Sequence, residues 1–447
     1  MIRLLNEADI RDLIPEEFDS IEDFFKNGYS ADIAELLMRL SEEEIRKYID
    51  VFDIDQLSEI ISYLDYDTNY SISRMLSDET LADILTRMYK DDAVDFLGTM
   101  PVGKIKKILN ILRDGQAQQL QRLLGYDEES AGGLMTTEFI AFYQDNTTEE
   151  VFEKLRSLVS DPEMIYYIYV ISRTKELKGV LSLRQLLAAS PNSQLEDIMT
   201  EQVIKVEVNR DQEEIARILA KYDLLAVPVI NSKNQLVGII TVDDAMDVIE
   251  DEATEDIYKL GASTDVYETE QGALVAVKKR IPWLIFLLFA SLMASSVIQR
   301  FEASLKSVVA LVFFIPVLMN MGGNVGIQSL TVMVRGLAIE GIDFSNFWRH
   351  LLQEIKAGLL IALIIALLLF GVIFLWQNQI ALGLIVAIAM FTTILTAIGV
   401  GVFVPFIMQI LGADPAMASG PFITTIVDVT GLYIYFAIAN LLLEKLF

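Results

Sequence analysis

Residues 357–413 form one uncharged run, rich in Leu, Ile and Ala, longer than a soluble domain buries as one segment. Two shorter runs precede it, at 281–299 and 307–334, and 421–443 follows, interrupted only by Asp428. A hydrocarbon core of ~30 Å takes about 20 helical residues at 1.5 Å each. The longest run is therefore two spans, folded back at Trp376-Gln377-Asn378-Gln379, a polar and aromatic stretch suited to a membrane interface. The predicted count is five, which leaves the two ends of this region on opposite sides. Lys278, Lys279, Arg280, Arg335, Arg349 and Lys356 fall on one side, against Arg300, Lys306 and Lys445 on the other. That bias puts everything before Ile281 in the cytoplasm of a multi-pass inner or plasma membrane protein.

The part before Ile281 has the opposite character. The 447-residue chain is 53% hydrophobic, yet it carries 63 acids against 35 bases, a net charge of −28. Residues 281–447 hold only seven acids and six bases, so −27 belongs to the part outside the membrane. Such a field repels polyphosphate and attracts cations, which argues against a nucleic-acid partner. With no Cys and a single His350, thiolate and His-rich metal sites are excluded. Oxygen ligands remain, and they select hard cations such as Mg²⁺, Ca²⁺ or Mn²⁺. No nucleophile and base pair stands out, so an enzyme is not expected. Residues 1–12 lack an apolar core of signal-peptide length, and export of the acidic part is not expected.

Residues 1–130 show helical periodicity, as at Ile33, Leu36, Leu37 and Leu40, with few strand signals, and read as an all-α acidic N-terminal domain. Residues 131–196 and 197–252 are two copies of one unit. Leu134-Met135-Thr136 recurs as Ile198-Met199-Thr200 at an offset of 64. Gly179-Val180-Leu181-Ser182-Leu183 recurs as Gly238-Ile239-Ile240-Thr241-Val242 at an offset of 59. Each copy reads strand, helix, strand, strand, helix, an α/β unit. The pair resembles tandem CBS modules, which commonly sense nucleotides or ions for a neighbouring domain. In nucleotide-binding modules an Asp three residues after the Ser/Thr of this motif commonly holds a ribose. The second copy has Asp244 there and the first has Gln185, which disfavours an adenine nucleotide in the first copy. The bland alternative is a dimerising spacer without a ligand.

Eight carboxylates crowd between Asp243 and Asp256, both included. Helical spacing puts Asp244, Asp247, Asp251 and Glu255 on adjoining turns of one face, where like charges destabilise a helix by a few tenths of a kcal/mol per pair. Divalent cations would compensate them; a solvated acidic face is the competing reading. Residues 253–280 are expected to form a linking helix that runs into the first of the spans in 281–447.

Within the membrane, Asp428 is the carboxylate expected deepest in a span, in a polar stripe with Thr424, Thr425 and Thr430. An ionisable group there costs ~2.5 to 3.5 kcal/mol on insertion scales and usually faces a cavity or ion path. Pro316 and the run from Gly322 to Ser329 are expected to break the second span, since irregular backbone survives at membrane depth only where freed carbonyls face water, protein or an ion. Helix-packing glycines are the competing reading of that run. A two-fold axis through the pore would supply two Asp428 carboxylates, and carbonyls, hydroxyls and carboxylates suit an ion that keeps its water, as Mg²⁺ does.

PVLMNMGGNVGIQS in the second span, GADPAMASGPFITTIVDVTGLYIY entering the fifth and ATEDIYKLGA in the linker carry a resemblance to the MgtE family of magnesium channels and transporters, over nearly the whole chain. The resemblance implies a homodimer with a shared pore and a linker acting as a plug helix. It implies that Asp428 is the pore aspartate. It also implies regulatory Mg²⁺ ligands at Asp244, Asp247, Glu252, Glu255 and Asp256, with Glu213, Asp223 and Asp92 as further members. The expected function is Mg²⁺-selective uptake, closed by cytosolic Mg²⁺. The alternative is a membrane-tethered cation or nucleotide sensor that conducts nothing.

Overall fold

The computed structural model describes residues 14–15, 18–158, 166–262, 273–302, 306, 308–340 and 344–446. The stretch 1–12 read for export, and 263–272 of the expected linking helix, lie outside the described residues. The chain forms two compact units, Met1–Glu250 and Asp251–Phe447.

The first unit opens on short helices from Ile21–Asn27 to Asp114–Leu123. Ser20, Ser41, Asp53, Asp65 and Ser77 cap five of these helices through their side chains, and acids such as Glu42, Glu43, Asp78 and Glu79 fill first turns, where the helix dipole favours them. Much of this domain's negative charge therefore sits where a helix stabilises it. Apolar residues at helical spacing, among them Phe25, Ile33, Leu37, Ile60, Leu81 and Phe96, bury in one core that continues to Ile215, Val227, Ile240 and Val248 of the second repeat copy. The helical domain and that copy are thus packed as one body.

Both copies fold as predicted, with the same strand order. In the first, β1 (Ala141–Tyr143) lies parallel to β2 (Tyr167–Ile171), which pairs antiparallel with β3 (Leu177–Ser182). In the second, β4 (Val206–Glu207), β5 (Ala226–Ile230) and β6 (Leu236–Thr241) repeat the arrangement. The copies exchange their leading segments: Thr136 bonds both ways to Ile239 of β6, and Thr200 bonds both ways to Val180 of β3. The repeated methionines follow, and a Cβ on Gly179 would collide with the Met199 sulfur while one on Gly238 would lie 2.6 Å from that of Met135. Both sequence repeats thus belong to one reciprocal contact.

In the second unit five helices are long and apolar enough to cross a membrane: Arg280–Arg300, Val309–Leu337, Asn346–Gln377, Ile380–Ile410 and Gly420–Leu442. The third and fourth meet at Asn378, whose φ of 51° makes the tight reversal foreseen there. The fourth is the most enclosed, while Leu288, Phe289, Leu367 and Leu368 on the first and third stand exposed, as a lipid-facing surface requires.

The expected break in the second span is not found. Ile315–Glu340 is a continuous α-helix through the glycine run, and the irregular part is the 3₁₀ turn Val309–Phe314 before it. Pro316 is the second residue of the α-helix, where a missing N–H costs nothing. The glycines instead admit the fifth span: a Cβ on Gly322 would lie 2.9 Å from Val427, and one on Gly326 3.0 Å from Ile423. A freed carbonyl of the 3₁₀ turn, that of Leu311, accepts the buried Tyr435 hydroxyl at 2.9 Å.

The exchange between copies is unequal in one respect. The Gly238 position also faces the Thr136 carbonyl at 2.7 Å, which cannot swing away as a methionine can. Gly238→Ala should cost about 1–3 kcal/mol and Gly179→Ala less. Denaturant unfolding of residues 1–262 checks this, and equal losses would contradict it.

Candidate functional site

Asp428 projects from the fifth span, half-buried, with no hydrogen-bond or ion-pair partner among the described residues. Around it the hydroxyl protons of Thr424 and Thr425 go to the Pro421 carbonyl at 2.9 and 2.8 Å, and that of Thr430 to Ile426 at 2.7 Å. Each hydroxyl oxygen then has only acceptor capacity left to offer. A carboxylate flanked by acceptors is a surface for a cation. On the packed second span, Asn324 donates to Asn320 at 2.8 Å, and both amides reach the surface of the single chain. Asn320 was missed by sequence reading, although it heads the Asn-Met-Gly-Gly-Asn string. The third span also begins earlier than its uncharged run, so Glu354 lies within that helix and receives the Ser329 hydroxyl at 3.4 Å.

The second group of carboxylates lies in the first unit. Helix Lys90–Gly98, carrying Asp92 and Asp95, shares its core with Ala245 and Val248 of helix Val242–Leu260. Burial, then Asp244, Asp95, Asp243 and Glu138, push the Asp92 carboxyl up to about 7. Asp244 is held at about 6: burial raises it, the Thr241 hydroxyl opposes the rise, and Asp243 and Asp247 add to it. Asp95 keeps solvent access, yet its surroundings, Asp244 and Glu128 push it up to about 6. It was not foreseen, though it lies one helical turn beyond Asp92. Asp244 also bonds the N–H and hydroxyl of Thr241, closing the first turn of its helix. Gln185 does the same for Ser182, accepting its N–H at 2.8 Å.

Other predicted residues are placed separately. Glu213 pairs with Arg217 on its own helix. Asp223 ends that helix in a left-handed conformation, φ 52°, exposed to solvent. Asp247 is exposed, and Glu252, Glu255 and Asp256 are half-exposed along helix Val242–Leu260, which runs unbroken past the boundary expected at 252. Glu255 bonds Lys259 at 2.5 Å, and Lys259 bonds Asp414 at 2.6 Å. Burial lowers the Lys259 ammonium's pKa, but the bonds to Asp414 and Glu255 outweigh it and hold it above its ordinary range. Among the described residues no three carboxylate or imidazole groups converge as a metal cage.

The family pattern described as a divalent cation transporter, MgtE, matches residues 315–438; the MgtE intracellular N domain matches 29–129, and the CBS domain matches 131–192 and 195–251. The magnesium transporter MgtE of Thermus thermophilus is 40% identical over 368 residues, 82% of this chain and 80% of that one. The chain belongs to the MgtE family. The magnesium transporter MgtE of Bacillus subtilis is 35% identical over 446 residues, 100% of this chain and 97% of that one. A solved structure, the cytosolic domain of the Mg²⁺ channel MgtE in complex with ATP, matches at 32% identity with a TM-score of 0.50, covering 54% of this chain and 100% of that one. The multidomain fold class, an all-α domain, a CBS pair and five membrane-spanning helices, agrees with these relationships.

The raised carboxyls bind protons more tightly folded than unfolded, where an Asp titrates near 3.8. Folded stability is therefore lost as pH climbs from about 4 through about 7. Without divalent ions, residues 1–262 should melt a few degrees lower at pH 8 than at pH 5.5. Millimolar Mg²⁺ should reverse the loss at pH 8, and Asp92→Asn should flatten the profile. A melting temperature that rises with pH in calorimetry would contradict this.

Proposed function

We propose that this protein is a Mg²⁺-selective channel or transporter for magnesium uptake, closed from the cytoplasmic side by Mg²⁺ itself. The observation that carries the reading is Asp428, a carboxylate in a span with no partner among the described residues, flanked by threonine oxygens whose protons are already spent. A membrane tether for a sensor needs no such group. The relatives named as magnesium transporters support Mg²⁺ as the cargo. Mg²⁺ surrenders its water reluctantly, so a ring of acceptors can select it by its retained shell.

One carboxylate per chain attracts a divalent ion weakly, and a homodimer would bring two to a shared axis. An apolar groove of about 340 Å³ between helix Gln212–Tyr222 and the start of helix Val242–Leu260 supports that assembly. Leu225, Met246 and Ile249 stand exposed along it, as a self-complementary interface requires. Positive flanks put the acidic unit in the cytoplasm.

Regulation follows from charge. At low Mg²⁺ the repulsion among Asp92, Asp95 and Asp244 favours separation of the helical domain from the second CBS copy, and Mg²⁺ favours their union. Asp247, Glu252, Glu255 and Asp256 extend the same response along the linker helix, with Asp223 beside its start and Glu213 as a further member on helix Gln212–Tyr222. A ligand moves such an equilibrium only through its differential affinity for the two states, and sites formed by union supply it. The solved relative holds ATP. Here Gln185 stands at the ribose position of the first copy and is engaged with Ser182, which disfavours an adenine nucleotide there, while the second copy keeps Asp244; Mg²⁺ is proposed as the regulator. The reading involves no covalent chemistry.

In Mg²⁺-loaded liposome assays Asp428→Ala should lower divalent flux at least about tenfold with dimerisation intact, since an intramembrane ion ligand is removed. Wild-type flux in that variant would remove Asp428 from the path. A chain beginning at Lys278 should conduct but no longer close at millimolar Mg²⁺. Closure retained in that truncation would move the sensor into the spans.

A further inference from the structure

Lys259 lies in the last turn of the linker helix, which ends at Leu260. Its Nζ is 2.5 Å from Glu255 Oε1, one turn back, and 2.6 Å from Asp414 Oδ2, in the loop between the fourth and fifth spans. The second oxygen of Asp414 is also engaged: Oδ1 accepts the Ala416 N–H at 2.8 Å and starts the 3₁₀ turn Pro415–Met417, directly before the fifth span. Lys259 is 26% exposed and Asp414 34%, so both are drawn well out of water. Leu260 packs on the membrane core, and its carbonyl lies 3.5 Å from where a Cβ on Gly420 would stand. The negative end of the linker helix thus approaches the positive end of the helix that bears Asp428.

An i,i+4 Glu–Lys pair is ordinary helix chemistry worth a few tenths of a kcal/mol. The bond to Asp414 differs, because it joins residues 155 positions apart and ties the linker to the loop that leads into the pore span. We propose that Lys259 is a positioning residue, an internal cation that clasps the end of the linker helix to the loop leading into the pore span and so favours the closed channel. Regulatory Mg²⁺ comes and goes; this cation is covalently attached, so it is at hand for Asp414 each time the end of the linker helix docks on the loop. The clasp sets the Mg²⁺ concentration at which closure occurs. The inference rests on the gating reading above.

The test uses the full-length protein in liposomes, with Mg²⁺ flux measured while Mg²⁺ on the cytoplasmic side is titrated. Lys259→Met and Asp414→Asn, the latter keeping the acceptor for Ala416, should each raise the half-closing concentration about three- to tenfold. The double variant should rise no further than the larger single effect, and Lys259→Arg should stay near wild type. The chain has no Cys, so Lys259→Cys with Asp414→Cys can also be joined by a short bifunctional thiol reagent. Cross-linking should be faster at high Mg²⁺ than at low. Unchanged midpoints, additive effects, or cross-linking indifferent to Mg²⁺ would overturn the clasp. If the wild type itself fails to conduct or to close, the functional reading fails first; if it closes normally while Lys259→Met closes at the same concentration, only the clasp fails.

Discussion

Asp92 and Asp244 face each other across a packed contact where water screens charge poorly, with Asp95, Asp243 and Glu138 adding to the field. The surrounding hydrophobic core holds them there, since Ala93 and Phe96 on one helix and Ala245 and Val248 on the other are buried. Apolar burial worth roughly 25 cal/mol per Å² keeps together what Coulomb repulsion drives apart. A proton or a bound cation at this contact relieves the repulsion and so favours the packed state. An uncharged version of this contact would be more stable, and would lose the response to Mg²⁺ proposed above.

Elsewhere the chain meets some of its carboxylates from within. Ser and Asp caps and acidic first turns use helix dipoles, Arg217 takes Glu213, and Lys90 takes Glu138 at 3.1 Å. Asp92, Asp244 and Asp428 combine partial burial with the absence of an ion pair to a cation of the chain among the described residues. In Asp428 the same lack is placed in a membrane-spanning helix that itself supplies threonine acceptors, packed on a second span that carries an asparagine pair.

The span count, the loop at Asn378, the duplicated α/β unit and the acidic linker were all legible, because each leaves a periodic or local trace: uncharged runs, a repeat at fixed offset, charge density. The second span misled because glycine is silent about its reason. Gly322 and Gly326 could free a carbonyl or admit a neighbour, and only Val427 and Ile423, far along the chain, decide between them. Asp95 and Asn320 lay one helical turn from residues already singled out, but a turn along a helix changes what a side chain meets only once the partner helix is known. The Lys259–Asp414 bond leaves no trace of its own, since its partners are 155 residues apart and each is ordinary in its local string.

The exchanged leading segments of the two CBS copies carry a mechanical implication. Each methionine fills the glycine notch of the other copy, and each threonine is stitched into the other's outer strand. Each three-stranded sheet gains an added bridge from the other copy's leading segment, so the two copies are held together as one body. Under the proposed gating, a displacement of the helical domain would reach the start of the linker through a pair with little slack of its own, and compliance would lie in the joints at either end.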